Sequence, residues 1–422
     1  MSDSVPGTAS PIEDFDSRLK KRQNQGQRRL ALFLGATIFS ILALATLIAT
    51  VVNDAFGYVL YENTIEPETL LPEGKTFEDL SKEELVDIIR NHVSRRFFIK
   101  LDEESTLLDR SKPELIDVIE AEVIKPAVEK TWSLSYSILH AGDIDAWAKE
   151  NSPQGKVSFR AWINYDFIRR SQASVAIDMG VRGAITGSFL TILITIAFAF
   201  PIGIGAAIYL EEYAKDNRIN RFIQTNIYNL AGVPSIIYGM LGLAIFVRGM
   251  EPITSGAIFG AVADPTTANG RTIFSAGLTL ALLILPVIII NAQEALRAVP
   301  ASMRYSSYAV GATRWQTIRH HVLPASMDRI LTGTVLAISR AIGETAPLVV
   351  VGASAFLTKD PSSIFSKFTT LPIQIYQLTS RPQAEFRNAA AAAILVLMAL
   401  LLTLNTAAII LRNKYRKTKR LG

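Results

Sequence analysis

The chain has 422 residues, 49% of them hydrophobic and only 19% charged, against about 25% charged in a typical soluble domain. Its mean hydropathy is positive, at +0.27, so part of it is built for lipid. With no cysteine and four scattered histidines, disulfide frameworks, thiolate metal centres, iron–sulfur clusters and cysteine nucleophiles are excluded, and no metal centre is expected.

Charge-free runs mark the elements in chain order. A basic tail, residues 1–29, leads into Leu30 to Asn53, 24 residues without a charge and long enough to span a bilayer as a helix. No A-x-A pattern closes this run, so it reads as an anchor rather than a cleaved signal. Residues 54–182 are different in kind. They hold 24 Asp and Glu against 16 Lys and Arg, while the rest of the chain carries +13. Such a stretch is expected to form an extracytoplasmic domain with its own core.

Within it, Ser81-Lys-Glu-Glu-Leu-Val-Asp-Ile-Ile-Arg90 and Ser111-Lys-Pro-Glu-Leu-Ile-Asp-Val-Ile-Glu120 form a near-repeat. Each opens with a serine and carries a glutamate three residues on, the pattern of a capping box. Pro113 sits in the first turn, where its missing N–H costs little. Leu85, Ile88, Ile89 and Val93 share one helical face, as do Leu115, Val118, Ile119 and Val123. Two similar amphipathic helices packed together are expected.

Residues 183–411 hold the remaining spans: Gly183 to Leu210, Phe222 to Val247, Thr272 to Gln293, Ile330 to Thr358 and Asn388 to Leu411. The fourth of these is interrupted by Arg340 and Glu344. A basic tail, 412–422, closes the chain. The fold expected is an all-α integral membrane protein with six transmembrane helices and an inserted, mainly helical extracytoplasmic domain between the first and second. The four segments read as cytoplasmic carry 20 Lys and Arg, and the two short outside loops carry 6. The positive-inside rule therefore puts both termini in the cytoplasm.

Chemistry of the chain's own is hard to find. Gly74-Lys75-Thr76 has the tail of a Walker A loop, but the glycine required five residues earlier is Thr69. His320 and His321 lie in a basic loop without partners at metal spacing. No nucleophile–base pair is present, so no catalytic site is expected. The positive balance lies in membrane-flanking segments, as topology alone demands, and implies no nucleic acid.

Two constellations stand out. The loop 291–328 reads as helix, turn, helix. Gln293 to Met303 has helical spacing, Gly311 offers the turn, and Trp315, Ile318 and Val322 form an apolar stripe before Leu323-Pro324. A stripe of this kind is a docking surface for a protein or an amphipathic helix lying on the bilayer. The second constellation is Arg340 with Glu344, four apart and so on one helical face. Each charge costs about 2.5–3.5 kcal/mol at mid-span if it faces lipid, so both should face the bundle interior or a polar cavity. Gly343 and Pro347 permit close packing or local unwinding beside them. A structural ion pair and a pair on an anion path both fit.

Several of these residues also carry a resemblance. Glu294-Ala-Leu-Arg-Ala-Val-Pro300, Tyr308-Ala-Val-Gly-Ala-Thr-Arg-Trp-Gln-Thr-Ile-Arg319 and Val322-Leu-Pro324 resemble the cytoplasmic coupling loop of binding-protein-dependent ABC permeases. Arg340-Ala-Ile-Gly-Glu-Thr-Ala-Pro-Leu348 looks like the PstA-type subunits of phosphate importers. Leu210-Glu-Glu-Tyr213, Asn229-Leu-Ala-Gly-Val-Pro-Ser-Ile-Ile-Tyr-Gly239 and Leu285-Pro286 add to the likeness, which covers roughly residues 183–411. There are departures. Tyr305-Ser306-Ser307 stands where the family usually shows Glu-Ala-Ala or Glu-Ala-Ser, and Asn291 where some relatives place an arginine.

The resemblance implies a permease subunit of an ATP-driven phosphate importer in the bacterial inner membrane, forming half of the pore. It implies no cofactor on this chain, with ATP used by a separate PstB-type ATPase dimer. Further partners would be a PstC-type second permease, a PstS-type periplasmic phosphate-binding protein and membrane lipid. Glu294, Ala309, Gly311, Ala312, Trp315, Ile318, Leu323 and Pro324 are then expected in the ATPase-coupling loop. Arg340, Glu344 and Thr345 are expected on the substrate path. The same scaffold also suits another oxyanion such as sulfate or phosphonate, and a membrane sensor or scaffold organised around the acidic domain is a reading of a different class.

Overall fold

The computed structural model describes residues 11–418 except 64, 66, 73–75, 105–106, 125, 261–268, 355 and 358–359. Gly74 and Lys75 of the Walker-like tail lie outside the described residues. The chain divides after Asn53 into two units. The first is a helix, α1 (Pro11–Ala55), whose charge-free run exposes Leu32, Phe33, Phe39 and Leu47. Apolar residues all round a helix are what lipid covers.

The second unit opens with a sheet that the all-helical expectation missed. β1 (Phe56–Asn63) lies between β2 (Pro126–Thr131) and β3 (Lys156–Ala161), antiparallel to both. Each strand has only 6 to 8 residues, and a register shift between Leu60 and Tyr61 interrupts the pairing with β2. Val59 and Leu60 are both buried, so the two-residue alternation that would betray a strand is broken at its centre.

The near-repeat forms a lobe inserted between β1 and β2. Asn63 and Pro126, at its two ends, are register partners, and the Ile65 N–H donates to the Ile124 carbonyl at 3.4 Å. The lobe contains α2 (Lys82–His92) and α3 (Lys112–Ile119). The Ser81 hydroxyl accepts from the Glu84 N–H at 3.2 Å, and the Glu84 carboxylate accepts from the Ser81 N–H at 2.6 Å. At the second helix the Ser111 N–H donates to Glu114 at 3.0 Å. Leu85, Ile89, Leu115, Ile119 and Val123 meet in one buried cluster whose described members all fall within residues 65–124. The two helices pack together as their spacing predicts.

The remainder of the acidic stretch is built into the helical core. After β2 come α4 (Leu134–Leu139), α5 (Ala141–Asn151), β3 and α6 (Tyr165–Arg169). Val59, Trp162, Phe167 and Met179 share a buried cluster with Leu371, Phe386, Ala389 and Ala393. Polar ties reinforce this seam. The Asn388 amide donates to the Asp54 carbonyl at 2.6 Å, and the Gln374 amide to the Gly180 carbonyl at 2.8 Å. Arg182 pairs with Asp360. Arg160 donates to the Ile177 carbonyl at 2.6 Å; burial pushes its guanidinium pKa below the ordinary value, and Asp178 opposes that shift.

The helical core begins with α7 (Arg182–Ile208), which ends in a π turn, Tyr209–Tyr213. Then come α8 (Arg218–Ala231), α9 (Ser235–Gly242) with a π-helical continuation to Gly249, and α10 (Ile273–Arg297). The short α11 (Ala301–Ala309) and α12 (Arg314–Thr317) precede α13 (Leu323–Gly343), α14 (Ala346–Val351), α15 (Leu371–Thr379) and α16 (Ala384–Thr418). α10 is the central helix. The Thr272 hydroxyl and Ser275 cap its start. A Cβ at Gly277 would stand 2.5 Å from Ile194 of α7, and one at Gly333 2.6 Å from Asn291. The Thr195 hydroxyl bonds to the Gly277 carbonyl at 3.1 Å. Small residues at crossings are how helices approach when lipid supplies no hydrophobic drive.

Two of the expected spans are broken. Phe222 to Val247 bends by 108° between Ala231 and Ser235. Pro234 sits at φ −55°, ψ 137°, outside the helical region, and cannot donate to the turn before it. α8 also carries Gln224, Asn226 and Asn229, a polar load unsuited to the bilayer centre. Ile330 to Thr358 is cut at Gly343, with α14 restarting at Ala346. By length and apolar composition, four helices among the described residues can cross a membrane, or five with the bent pair counted as one.

Replacing residues 66–123 with an Asn-Gly turn should therefore leave the rest of the protein folded, because the register at Asn63 and Pro126 already closes a hairpin. The expected result is an unchanged gel-filtration profile in detergent and a Tm within about 2–4 °C of the parent, the shift that roughly 1 kcal/mol produces. Phe167→Ala, which opens the seam, should instead cost about 3–5 kcal/mol.

Candidate functional site

The break after Gly343 is where charge enters the helical core. Arg340 occupies the last turn of α13, where a cation complements the partial negative charge of unpaired carbonyls. Glu344 leaves the helix with extended backbone, φ −75° and ψ 124°, its N–H donating to the Ala341 carbonyl at 3.3 Å. The two side chains were expected to pair across one continuous helical face. They do pair, at 3.2 Å from Arg340 Nε to Glu344 Oε1, but through the break.

Neighbouring elements hold that break open. Thr345 begins α14, and its carbonyl accepts from the Val349 N–H at 3.0 Å. Pro347 fills the first turn of α14 and packs on α9, where a Cβ added at Gly239 would stand 2.6 Å from the Pro347 Cα. Gly352 ends α14 at φ +107°, a left-handed angle that only glycine adopts freely. The two stretches Asn229–Gly239 and Arg340–Leu348 thus form one packed unit, α9 against α14.

Exposure gives the site its character. The Arg340 side chain is 47% exposed and that of Glu344 is 16% exposed. Among the described residues the contact runs through Nε alone, which leaves the two Nη groups without a protein acceptor. A guanidinium presents its donors as a planar fork that fits an oxyanion. Broken helices at membrane depth occur where the backbone is covered by protein or lines water.

The loop 291–328 forms a tight elbow. α11 ends at Ala309, the chain turns at Gly311 (φ +86°), and Thr313 caps α12 in a capping box with Gln316. No atom lies within 4 Å of a Cβ placed on Gly311, so its backbone angle demands glycine and crowding does not. The Ser307 and Thr317 hydroxyls close the elbow at 2.9 Å. Of the expected stripe only Trp315 faces outward. Ile318 and Val322 are fully buried, because the elbow folds α12 back onto the core, where Val322 packs with Leu296 and Val299. Glu294 and Ala309 are exposed, and Ala312, Leu323 and Pro324 half-buried. The most exposed large apolar groups of the elbow are Val310, Tyr305 and Trp315, with Met303 and Tyr308 less so.

Sequence reasoning missed what fixes this elbow in place. Arg304 grips Glu212 of the π turn at 2.7 Å, with the two side chains 18% and 7% exposed, and it also donates to the Leu296 and Val299 carbonyls at 3.0 and 2.8 Å. Arg297 pairs with Glu211 at 2.8 Å. These four residues with Tyr305, Tyr308 and Arg314 line an open groove of about 380 Å³. The two carboxylates of this groove come from 86 and 92 residues before the arginines they meet. The paired carboxylates of Leu210-Glu-Glu-Tyr213 were the available signal.

With the geometry in place, comparison with known proteins is direct. Residues 199–417 match the family described as binding-protein-dependent transport system inner membrane component. The chain is similar to the probable ABC transporter permease protein YqgI of Bacillus subtilis (strain 168), with 29% identity over 57% of this chain and 81% of that protein. It is also similar to the phosphate transport system permease protein PstA of Yersinia pestis, with 35% identity over 54% of this chain and 70% of that one. PstA 1 of Mycobacterium tuberculosis (strain ATCC 25618 / H37Rv) is 33% identical over 57% of this chain and 72% of its own length. The chain belongs to the binding-protein-dependent transport system inner membrane components, the membrane subunits of ABC transporters.

Proposed function

We propose that this permease carries inorganic phosphate, as the PstA-type half of a two-subunit import pore. The observation that carries this reading is the Arg340–Glu344 pair at the helix break. Phosphate near neutral pH bears one to two negative charges and leaves water only where the protein compensates them. Arg340 offers that compensation through donors that Glu344 leaves unfilled. Glu344 neutralises the guanidinium when no anion is present, and phosphate competes with it for the fork. Thr345 stands beside them with a hydroxyl. A site held this weakly releases its ion as readily as it admits it, which conduction requires.

The rest of the assembly follows from the family. A second permease completes the pore, an ATPase dimer docks on the 291–328 elbow, and a periplasmic protein delivers phosphate. The excess of Lys and Arg in that elbow and both tails supports a cytoplasmic placement for them, with the acidic stretch 54–182 outside and six spans in all. ATP hydrolysis resides in the ATPase, and this chain works without a cofactor of its own.

Co-purifying the chain with the products of neighbouring genes and reconstituting the complex in liposomes tests the substrate. Phosphate should stimulate ATPase activity and be taken up, and excess sulfate or a phosphonate should not compete. Uptake of one of those anions in preference to phosphate would reassign the substrate. A complex that transports none of them would favour a sensor or scaffold.

The elbow supplies a second prediction. Gly311→Val places a β-branched residue at φ +86°, a genuine outlier, and Trp315→Ala removes an exposed anchor. Both should leave the subunit folded and weaken ATPase binding, Trp315→Ala by roughly 2 kcal/mol, about thirtyfold. Pull-down of the ATPase at graded concentrations reads this out. Arg304→Ala should do more. It strands Glu212, 7% exposed, at a cost of about 3–5 kcal/mol, and so should lower the Tm of the permease itself.

A further inference from the structure

One short helix in the acidic stretch is built inside out. Residues 54–182 hold 40 charged side chains among 129, yet Trp132 to Gly142 has no Asp, Glu, Lys or Arg. This segment contains α4. Its buried residue is polar: Ser137 is 2% exposed, its hydroxyl accepting from the Tyr58 N–H at 2.9 Å and donating to the Ser133 carbonyl at 2.8 Å. Two of its apolar residues point away, with Ile138 70% and Leu139 74% exposed, while Leu134 is half-buried. A helix on the surface of a soluble domain carries the opposite pattern.

The position of α4 in the fold identifies the solvent it faces. The Asp54 carbonyl accepts from Asn388, the first residue of the charge-free run of α16, Asn388 to Leu411. Tyr58, to which α4 is pinned, follows Asp54 by four residues. With about 3.3 Å per strand residue, Tyr58 stands at most roughly 13 Å beyond the start of that run, which brings α4 up to the headgroup layer of a bilayer, about 5–7 Å thick on each side. The flanking side chains suit that layer. The rings of Trp132 and Trp147 meet edge to face at 5.7 Å, Lys130 Nζ lies 3.7 Å from the centre of the Trp147 ring, and Tyr136 stacks on His140 at 4.6 Å. Trp, Tyr and Lys mark membrane interfaces because each joins an apolar body to a polar end.

We propose that α4 is an interfacial anchor, with Ile138 and Leu139 immersed at the headgroup–acyl boundary of the adjacent leaflet and the Trp132–Trp147–Lys130 cluster among the headgroups. The occupant of this surface is lipid, continuous with the lipid around α16. The anchor fixes the height and tilt of the sheet, and through it the inserted lobe, above the membrane. This rests on the family's membrane location and is independent of the transported anion.

The chain lacks cysteine, so a single label reads the position directly. Leu139→Cys, at a site already exposed, takes an environment-sensitive fluorophore, and Asp145→Cys on α5 serves as the water-facing control. The full chain is reconstituted in phosphatidylethanolamine–phosphatidylglycerol vesicles. Lipids brominated near the headgroup end of the acyl chain should quench the label at 139 several-fold more than at 145, and aqueous iodide should do the reverse. Iodide quenching at 139 equal to that at 145 would place the helix in water and overturn the proposal. Protection from both quenchers would overturn it too, by assigning the surface to a protein contact.

Discussion

The contact between Arg340 and Glu344 constrains the structure around it, because two charges at the end of a largely apolar helix must be answered within the protein. The answer takes the form of an interrupted helix. α13 ends one residue before Glu344, which places a cation on the unpaired carbonyls of the last turn and lets the carboxylate swing back to it. A pair formed along an unbroken helix would sit on a single face with its backbone fully bonded. Here the break exposes polar backbone as well, and α9 and α14 pack closely, through Gly239 and Pro347, to support it. As a structural tie the pair contributes little, since an ion pair with one partner 47% exposed is worth about 0–1 kcal/mol in a wet setting. Its exposure suits the exchange of anions proposed for it.

The same economy of contacts organises the opposite ends of the core. Toward the loop 291–328, Arg304 joins the end of α7, the end of α10 and the start of α11 through one guanidinium. The elbow is thereby tied to two long helices at once. Toward the acidic stretch, the cluster of Val59, Trp162 and Phe167 with Leu371 and Phe386 makes the sheet an extension of the core, while the inserted lobe keeps its own. Composition alone divides the chain at residue 182. Packing sets apart only the lobe inserted in the hairpin from the rest of the acidic stretch.

The long apolar helices were legible because the charge-free runs report directly what lipid demands. Thr272 to Gln293 anticipates α10, and Asn388 to Leu411 the apolar body of α16. The capping box at Ser81 and the Ser111–Glu114 hydrogen bond were legible because a cap is a local pattern. The sheet was not, because its strands are short, one pairing is shifted at Leu60, and the chain between β1 and β2 reads as helix throughout. Gly343 and Pro347 signalled unwinding near Arg340 without saying that the helix stops. Pro234 lay in plain view inside an apolar run, and apolarity outweighed it. The Glu212–Arg304 grip joins residues 92 apart, and periodicity carries no information over such a separation. Ile318 and Val322 have the spacing of an exposed stripe, but spacing specifies a face without specifying what that face meets.

On the proposed function, Arg340 and Glu344 form a replaceable gate whose polarity matters, with the guanidinium contributed by α13. The most direct measurement compares Arg340→Gln, Glu344→Gln and the double exchange Arg340→Glu with Glu344→Arg, following assembly and phosphate uptake in the same reconstituted complex. A gate predicts that all three assemble with their partners, that Arg340→Gln and the exchange lose uptake, and that Glu344→Gln slows it. Normal uptake by the exchanged pair would contradict the account, because a tie between opposite charges is indifferent to which end carries which sign.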